Sequence, residues 1–436
     1  MKNGNGALTP MPLPKPAPSV SAEPNLSFDR AAVLAGTVST PFLVLAPSRI
    51  QKSIRTLRTC LPGVELYYAM KSNPDPELLG LLKGLVDGID VASYPEVTLA
   101  AAAGVTPERL FHSNPVKKDT DIAACVRHGV QWFTFDNADE VPKLSAHAPG
   151  ANVLLRVAIR NESCVVDLGA KFGAHEDEAL ALVLQARAAG VNVRGIAFHV
   201  GSQSTDPGIY ISALKLVRRL FDDAAKAGVR LDTLDIGGGF PVAYRVSVPK
   251  LEDFCRVVSR GLSQMFPAGV RIIAEPGRCI SGDSMTLVVR VIGRSVRNGI
   301  PWYFIDDGLY GAFSGKLFDH CDYELIHAKR GPVHECVVAG PTCDSIDIVS
   351  RDQMLPDMEI GDLLIVPGMG AYTKASATSF NGFQPPATVV DDGQSAPRRR
   401  ARRVTSKRGA VRPRAASGIA SRRLPADGPA TVPPLA

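Results

Sequence analysis

Residues 153–201 read VLLRVAIRNESCVVDLGAKFGAHEDEALALVLQARAAGVNVRGIAFHVG. The stretch begins and ends with short apolar runs, VLLRVAI (153–159) and IAFHVG (196–201). Between them lies a segment of helical period, DEALALVLQARAAG (177–190), which closes on a glycine, as helices often do. Two apolar runs separated by a helix predict two parallel strands, each buried on both faces and joined by a crossover helix.

The same alternation recurs along the chain. Six more runs complete the set: LYYAMK (66–71), IDVAS (89–93), LFHSN (110–114), WFTFD (132–136), LDIGGG (234–239) and IIAEPG (272–277). Eight repeats in about 210 residues match the size of a closed (β/α)₈ barrel of the TIM type. A doubly wound open sheet would give the same alternation, so the count of repeats alone leaves both architectures open.

Beyond residue 280 the pattern changes to strand-like runs that are separated by turns instead of long helices. These runs are SMTLVVRVIGRSV (284–296), PWYFIDDGLYG (301–311), HECVVAG (334–340) and DLLIVPGMG (362–370). They predict a second, mainly β domain at the C-terminal end. The predicted organisation is therefore a disordered lead (1–25), a segment joining the β-domain (26–41), the α/β barrel (42–279), the β-domain (280–384) and a disordered Arg-rich tail (385–436).

The composition is that of a globular protein, with 45% hydrophobic and 21% charged residues among 436. No apolar run approaches the roughly 20 residues that span a bilayer, and the first residues lack the apolar core of a secretory signal. The eight cysteines form no CxxC pair, which favours free thiols in a reducing, cytoplasmic compartment. The eight histidines show no metal-ligand spacing, so no metal is expected.

The formal net charge of +6 suggests a nucleic-acid partner until its source is located. Eleven Lys or Arg and three Asp lie beyond Gln384, so the rest of the chain carries a net charge of −2. The basic character therefore belongs to the tail, which we expect to be a solvated extension that the activity does not need. This distribution argues against a nucleic-acid partner for the folded part of the chain.

Polar groups follow the apolar runs, at the strand ends where barrel enzymes place their active sites. Lys71 ends the first run, three glycines (237–239) end the seventh, and Glu275 and Arg278 follow the eighth. The glycines expose backbone amides to a phosphate, and Arg278 and Ser202 can add side-chain contacts. Desolvation would lower the pKa of Lys71 and favour a nucleophilic amine. The Glu275 carboxylate could pair with the nitrogen of an aromatic ring, and the His199 imidazole could stack on the face of that ring. Together these groups predict a pyridoxal phosphate site.

The chain resembles the fold-type III pyridoxal-phosphate decarboxylases, in particular the eukaryotic-type ornithine decarboxylases and their bacterial relatives. The resemblance is collinear over residues 40–383 and rests on these motifs: YAMKSNP (68–74), DVAS (90–93), HSNPVK (112–117), KFGA (171–174), FHVGSQ (198–203), DIGGGFP (235–241), AEPGR (274–278), DDGLYGAF (306–313), FDH (318–320), GPTCDSID (340–347), GAYT (370–373) and FNGF (380–383). The family fold is a (β/α)₈ barrel with a C-terminal β-domain, as in alanine racemase, which agrees with the organisation above.

The resemblance implies roles for individual residues. Lys71 would bind the cofactor aldehyde covalently, His199 would stack on its ring and Glu275 would pair with the ring nitrogen. The phosphate would be held by Ser202, Gly237, Gly238, Gly239, Gly277, Arg278 and Tyr372, with Asp90, Arg156 and Glu96 around the lysine and the ring. Asp319 and Asp344 would bind the distal ammonium of the substrate, and Cys343 would return a proton to the α-carbon. Cys343 and Asp344 would act on the neighbouring subunit's cofactor, in a head-to-tail homodimer with shared sites.

The substrate implied by the resemblance is a basic L-amino acid, with L-ornithine first and lysine close behind, because one methylene changes binding by only about 1–3 kcal/mol. Relatives that decarboxylate diaminopimelate carry a glutamate where Asp344 follows Cys343, and arginine is a weaker option still. Phe318 stands where many relatives have a tyrosine, so a hydroxyl contact is lost there. The alternative to an enzyme is a catalytically inactive regulatory homologue. Such a protein would have lost Lys71, the phosphate-binding glycines or Cys343.

Overall fold

The computed structural model describes residues 24–161, 164–266 and 269–391. The strands in these ranges are β1 Phe42–Leu45, β2 Val64–Ala69, β3 Gly88–Val91, β4 Leu110–His112, β5 Trp132–Phe135, β6 Asn152–Val157, β7 Asn192–Phe198, β8 Thr233–Asp235, β9 Arg271–Ala274, β10 Met285–Arg297, β11 Ile300–Ile305, β12 His334–Ala339, β13 Ile348–Leu355, β14 Leu363–Val366 and β15 Ala387–Val390. The helices are α1 Phe28–Ala35, α2 Pro47–Cys60, α3 Pro76–Leu82, α4 Tyr94–Ala102, α5 Asp119–Arg127, α6 Glu140–His147, α7 Glu176–Ala188, α8 Gly208–Lys226, α9 Leu251–Met265, α10 Arg278–Ser281 and α11 Gly315–Phe318.

Strands β2 to β9 form a closed barrel in which all neighbouring strands are parallel, and β2 pairs with both β3 and β9. Each of the eight apolar runs in the sequence overlaps one of these strands. The barrel prediction is therefore confirmed, and the open sheet is excluded.

The side chains of β2 alternate between two buried environments, as the twofold period of a strand requires. Leu66 and Tyr68 belong to the main core, whereas Tyr67 belongs to a separate cluster with Phe111, Leu154 and other inward residues of the barrel. Burial on both faces explains why the barrel strands read as continuous apolar runs.

A second sheet follows the order β13-β12-β11-β10-β1-β15, with β14 paired to β10. The predicted mainly β domain is thus confirmed, but the predicted start of the barrel at residue 42 and the predicted start of the tail at residue 385 do not agree with the strand pairing. Strand β1 pairs antiparallel with β10 and parallel with β15, so it belongs to this sheet and not to the barrel that we began at residue 42. A four-residue apolar run fits either sheet, and only its pairing partners decide between them.

The tail boundary at residue 385 also has to move. Strand β15 is an ordered part of the sheet, and the Asp391 that follows it is buried. The Asp391 N–H donates to Leu45 O at 2.9 Å, and its carboxylate pairs with Arg30 of α1 at 2.5 Å. The described fold therefore runs to Asp391; the predicted lead up to residue 23 and the Arg-rich tail from residue 392 lie outside the described residues.

Among the helices in the described ranges, none is both long enough and apolar enough to cross a bilayer.

Candidate active site

A narrow cleft of about 40 Å³ opens at the carboxyl ends of the barrel strands. The cleft brings together nine of the residues that we singled out from the sequence. They are Lys71, His199, Ser202, Gly238, Gly239, Glu275, Gly277, Arg278 and Tyr372, and the remaining lining residues are Ala69, Leu168, Gln203 and Phe240.

Lys71 lies in a single 3₁₀ turn, Met70–Ser72, directly after β2. Its Nζ is 2.7 Å from Asp90 Oδ2, and the Asp90 side chain is 1% exposed. The other oxygen of Asp90 accepts a hydrogen bond from the Ser113 hydroxyl. Burial alone would lower the pKa of Lys71, but the carboxylates of Asp90 and Glu275 outweigh it and raise the pKa. The expectation of a lowered pKa was therefore wrong, because the ion pair opposes desolvation.

His199 follows β7 and presents a neutral imidazole to the cleft. Its Nδ1 accepts the Gly201 N–H at 3.0 Å, which places the ring proton on Nε2. Burial holds the pKa of His199 well below its usual range, and the positive charges of Arg156 and Lys71 lower it further. A neutral, planar ring at this position is suited to packing on a flat aromatic ligand.

Glu275 follows β9 and is 7% exposed. Its Oε1 is buried without a hydrogen-bond partner among the described residues. Burial raises the pKa of Glu275 well above its usual range, with Asp235 and Asp90 adding to the shift and Lys71 and Arg156 opposing it. The same burial raises the pKa of Asp235 to about 7. An unpaired buried carboxyl oxygen of this kind fits a ligand nitrogen that shares a proton with it.

Arg156 projects from β6 into a small cavity that His199, Asp235 and Glu275 also line. Its Nε is buried and has no hydrogen-bond partner in the described part of the chain. Its guanidinium lies 5.2 Å from the centre of the Phe172 ring, and burial lowers its pKa. Arg156 thus supplies a positive charge beneath the site that Lys71 and Glu275 share.

The glycine turn after β8 packs so closely that no side chain fits. A Cβ at Gly238 would lie 2.5 Å from Glu275 O, and one at Gly239 would lie 2.4 Å from Gly201 O. Gly239 also has a φ of +109°, which favours glycine. Gly238 and Gly239 also line the cleft, where they form a concave backbone surface against which an anionic group can rest.

Arg278 forms the cationic wall of the same concave surface. Its Nη2 donates to Ser202 Oγ at 3.1 Å, its Nη1 donates to Tyr244 OH at 3.0 Å, and its guanidinium lies 4.5 Å above the Tyr372 ring. Arg278 Nε is buried without a partner among the described residues. Tyr372 is fixed in turn by its N–H, which donates to Ser72 O at 2.8 Å. The side chain of Arg278 is therefore held in place and keeps an unused donor for a phosphate oxygen.

Glu96 lies near enough to Lys71 and Asp90 for their charges to act on its carboxyl group, whose pKa burial raises. Its carboxylate accepts the Ala92 N–H at 2.6 Å, and Ser93 Oγ accepts the Glu96 N–H at 3.4 Å. Ser93 is thus the N-cap of α4, and the Glu96 carboxylate satisfies the backbone N–H of Ala92, the residue before Ser93. In the structure Glu96 orders the helix that follows the Asp90 strand, and it does not line the Lys71 cleft.

Three predicted substrate and catalytic residues lie outside the cleft lining. Asp319 follows α11, and its Oδ1 is 3.1 Å from Arg278 Nη2. Cys343 is exposed on the loop between β12 and β13, where its N–H donates to Asn381 Oδ1 at 2.9 Å. The Asp344 carboxylate accepts the Tyr310 hydroxyl, which lowers the pKa of Asp344. Within one chain, Asp319 therefore contacts Arg278 at the cationic side of the concave surface, whereas Cys343 and Asp344 lie on a separate surface.

Sequence reasoning missed Asp235, Ser113 and Tyr244. A carboxylate inside the apolar run LDIGGG was a usable signal for Asp235, because a charged residue there has to be paired or functional. Ser113 and Tyr244 carried no such signal, since their contacts with Asp90 and Arg278 are long-range. In the ranges that the structure describes, no cluster of His, Cys, Asp or Glu could hold a metal ion.

A parallel (β/α)₈ barrel with this cleft, combined with the mainly β sheet, defines a fold-type III pyridoxal-phosphate enzyme. Residues 47–282 match the family described as "Pyridoxal-dependent decarboxylase, pyridoxal binding domain". The chain belongs to this family, and its cofactor is pyridoxal 5′-phosphate (PLP). The glycine surface fits this group, and so do the Glu275 oxygen and the Arg156 and Arg278 nitrogens that have no partner among the described residues.

Similar proteins cover nearly the whole described fold. The lysine/ornithine decarboxylase of Selenomonas ruminantium is 42% identical over 371 residues, which are 85% of this chain and 94% of that protein. The crystal structure of SrLDC in complex with PLP and cadaverine is 41% identical with a TM-score of 0.80, over 85% of this chain and 95% of the other. The lysine/ornithine decarboxylase of Vibrio vulnificus complexed with putrescine is 36% identical with a TM-score of 0.79, over 84% and 99% of the two chains.

Proposed function

We propose that this enzyme decarboxylates basic L-amino acids, chiefly L-ornithine to putrescine and CO₂, with lysine as a second substrate. The observation that carries the proposal is Asp319, a carboxylate beside the cofactor's phosphate wall whose Oδ2 is buried without a partner among the described residues. A carboxylate in this place favours a substrate whose side chain ends in a cation. A relative named as a lysine/ornithine decarboxylase supports the dual specificity.

Bound PLP supplies an electron sink for the electron pair that remains when the α-carboxylate leaves as CO₂. The protein keeps that sink effective by holding a proton between the Glu275 carboxyl and the ring nitrogen, which the raised pKa of Glu275 favours. His199 packs as a neutral ring and adds no competing charge. Lys71 would hold the cofactor aldehyde through its Nζ, and Asp90 Oδ2, 2.7 Å from that nitrogen, would stabilise positive charge on it.

We further propose that Cys343 returns the proton to the α-carbon in the neighbouring subunit of a head-to-tail homodimer. The support is that Cys343 and Asp344 lie on an exposed loop away from the Lys71 cleft of their own chain. Large apolar side chains near them are also exposed, namely Ile346 (53%), Phe380 (38%) and Phe383 (45%). Such a surface suits burial against a second copy of the chain.

The shared sites predict complementation between inactive variants. Lys71→Ala lacks the cofactor linkage and Cys343→Ala lacks the proton donor, so each homodimer should form diamine very slowly. Mixed subunits place one intact site in each heterodimer, and random mixing should restore about a quarter of wild-type activity. If mixing restores nothing while successive purification on two different affinity tags, one on each variant, isolates heterodimers, Cys343 does not serve the partner's site.

The substrate is tested by kcat/KM for ornithine, lysine, arginine and diaminopimelate under one set of conditions. We expect ornithine first and lysine within about two orders of magnitude, since one methylene changes binding by about 1–3 kcal/mol. A higher kcat/KM for lysine would overturn the ornithine assignment. A colourless dimer that turns over none of the four after addition of PLP would favour the inactive regulatory homologue.

We propose a cytoplasmic location, which keeps thiols reduced. The support is that all eight cysteines are free thiols in the structure. Labelling of the native protein with a thiol reagent in cell extract should detect no disulfide, and a disulfide-linked species would contradict this location.

A further inference from the structure

Arg278 contacts two side chains that we assign to the binding of two different ligands. On one side it donates to Ser202 Oγ at 3.1 Å, within the concave surface assigned to the cofactor phosphate. On the other side its Nη2 lies 3.1 Å from Asp319 Oδ1, the carboxylate assigned to the substrate's distal ammonium. One nitrogen atom of the guanidinium therefore takes part in both contacts.

Both side chains of this pair are nearly buried, with 5% of Arg278 and 11% of Asp319 exposed. Each also retains one unused polar atom, Arg278 Nε and Asp319 Oδ2, that is buried without a partner among the described residues. Leaving such atoms unpaired is costly, so each points to a ligand atom that pairs with it. An anion satisfies Arg278 and a cation satisfies Asp319.

Asp319 also faces a second cavity, beside the cofactor cleft. Tyr244, Arg245 and Cys321 line this cavity, and Gln203 lines both this cavity and the cofactor cleft. Gln203 is held by two hydrogen bonds to Val242, at 2.9 and 2.7 Å, so the boundary between the cavities is fixed. The Arg278–Asp319 ion pair thus lies between the two ligand positions.

We infer that Arg278 and Asp319 couple the two ligand sites, so that a phosphate at Arg278 and an ammonium at Asp319 each bind more tightly when the other is present. The inference rests on the proposed function, because it takes Asp319 as the ammonium site. Its physical cause is the order of charges. A phosphate next to Arg278 is repelled by the Asp319 carboxylate behind it, and an ammonium on Asp319 removes that repulsion. With both ligands bound, the order is phosphate, Arg278, Asp319 and ammonium, so negative and positive charges alternate. These interactions are strengthened because the ion pair is nearly buried, where the dielectric constant is low.

Coupling is tested by calorimetric titration of the full-length chain freed of cofactor. The probes are 4-deoxypyridoxine 5′-phosphate, which has ring and phosphate but no aldehyde that could react with amines, and 1,4-diaminobutane. We expect a saturating concentration of the diamine to tighten binding of the phosphorylated probe about five- to tenfold, the lower range of typical couplings. The phosphorylated probe must tighten diamine binding by the same factor, because coupling is reciprocal. The probe without its phosphate, 4-deoxypyridoxine, should show no such change.

Asp319→Asn keeps the shape and an oxygen acceptor for Arg278 but removes the charge. The coupling factor is the ratio of the phosphorylated probe's affinities with and without the diamine, and we expect it to fall to about one in this variant. The phosphorylated probe alone should bind this variant at least as tightly as it binds the wild type. Asp391→Asn is the matched control, because it removes the charge of a buried carboxylate that pairs with an arginine, Arg30, and that lines neither of the two cavities. The control should keep the full factor.

The outcomes separate the inference from the proposed function. If the diamine binds the wild-type chain but leaves the affinity of the phosphorylated probe unchanged, the coupling is refuted and the proposed function stands. Equal coupling with and without the phosphate on the probe would also refute it, and this comparison does not depend on any variant folding. If the diamine does not bind the wild-type chain at all, the diamine site and the inference both fail.

Discussion

Replacing Asp90 with asparagine removes the carboxylate that holds Lys71 in its protonated form. Lys71 Nζ lies 2.7 Å from Asp90 Oδ2, and the Asp90 side chain is 1% exposed. An opposite charge at this distance shifts a pKa by about 1–3 units. Because each unit changes the neutral fraction tenfold, Asp90→Asn should increase the neutral amine of Lys71 by about 10- to 1,000-fold near neutral pH. The variant should therefore capture the cofactor aldehyde faster in this range.

The assay is the rate at which the Lys71–cofactor linkage forms, followed by its absorbance near about 420 nm between pH 6 and 9. The rate for the wild type should rise with pH over this range, because the pKa of Lys71 is raised. The pH–rate profile of Asp90→Asn should have the same shape but be shifted to lower pH. The reasoning is refuted if the two profiles superimpose.

The same substitution should also lower the free energy of unfolding. A lysine whose pKa is raised in the folded state stabilises the fold below its ordinary pKa, and this contribution is lost only at higher pH, so it is fully present at neutral pH. We expect a loss of about 1–3 kcal/mol, below the value for a fully buried pair because the Lys71 side chain is 37% exposed.

Asp75→Asn provides the matched control for both measurements. Asp75 pairs with Lys374 at the same distance of 2.7 Å, its side chain is likewise 1% exposed, and it does not line the cleft. This variant should lose comparable stability without a shift in the capture profile. A similar shift in both variants would mean that general destabilisation, and not the Lys71–Asp90 pair, controls capture.

Three further predictions concern the proton donor, the C-terminal boundary and the glycine turn. Cys343→Ala should remain dimeric and bind PLP but form diamine about 10²–10⁴-fold more slowly, the usual contribution of a general acid; full activity would exclude this thiol as the donor. A chain that ends at Asp391 should melt and react like the full-length chain, whereas one that ends at residue 386 lacks β15 and should melt several degrees lower; identical melting curves would contradict the role of β15. Gly239→Ala places a Cβ 2.4 Å from Gly201 O and should weaken PLP binding at least about tenfold, whereas unchanged affinity would show that the turn can relax.

Local sequence pattern was sufficient for the barrel because each of its strands is buried on both faces. A continuous apolar run that ends in a polar residue marks both the strand and the position of its functional group, as for Lys71 and Glu275. The pattern was not sufficient for β1 and β15. Their short apolar runs are compatible with either sheet, and their place is set by pairing with strands that are distant in the sequence.

The electrostatics of the site were the least predictable part. The partial burial of Lys71 could be anticipated from the apolar run before it, but the sign of its pKa shift depends on the 2.7 Å approach of Asp90, which no local pattern specifies. The contact between Arg278 and Asp319 is of the same kind, since it joins the barrel to a loop of the β-domain. The motifs identified the residues of the site, whereas only the fold could reveal which charges act on each other.

The most direct measurement of the central claim is the release of CO₂ from carboxyl-labelled L-ornithine by the full-length protein. With PLP, we predict equal amounts of CO₂ and putrescine, no release without PLP, and a rate at least about 10³-fold lower for Lys71→Ala. Release by Lys71→Ala at the wild-type rate, or a wild-type protein that binds PLP and releases no CO₂ from ornithine or lysine, would contradict the account.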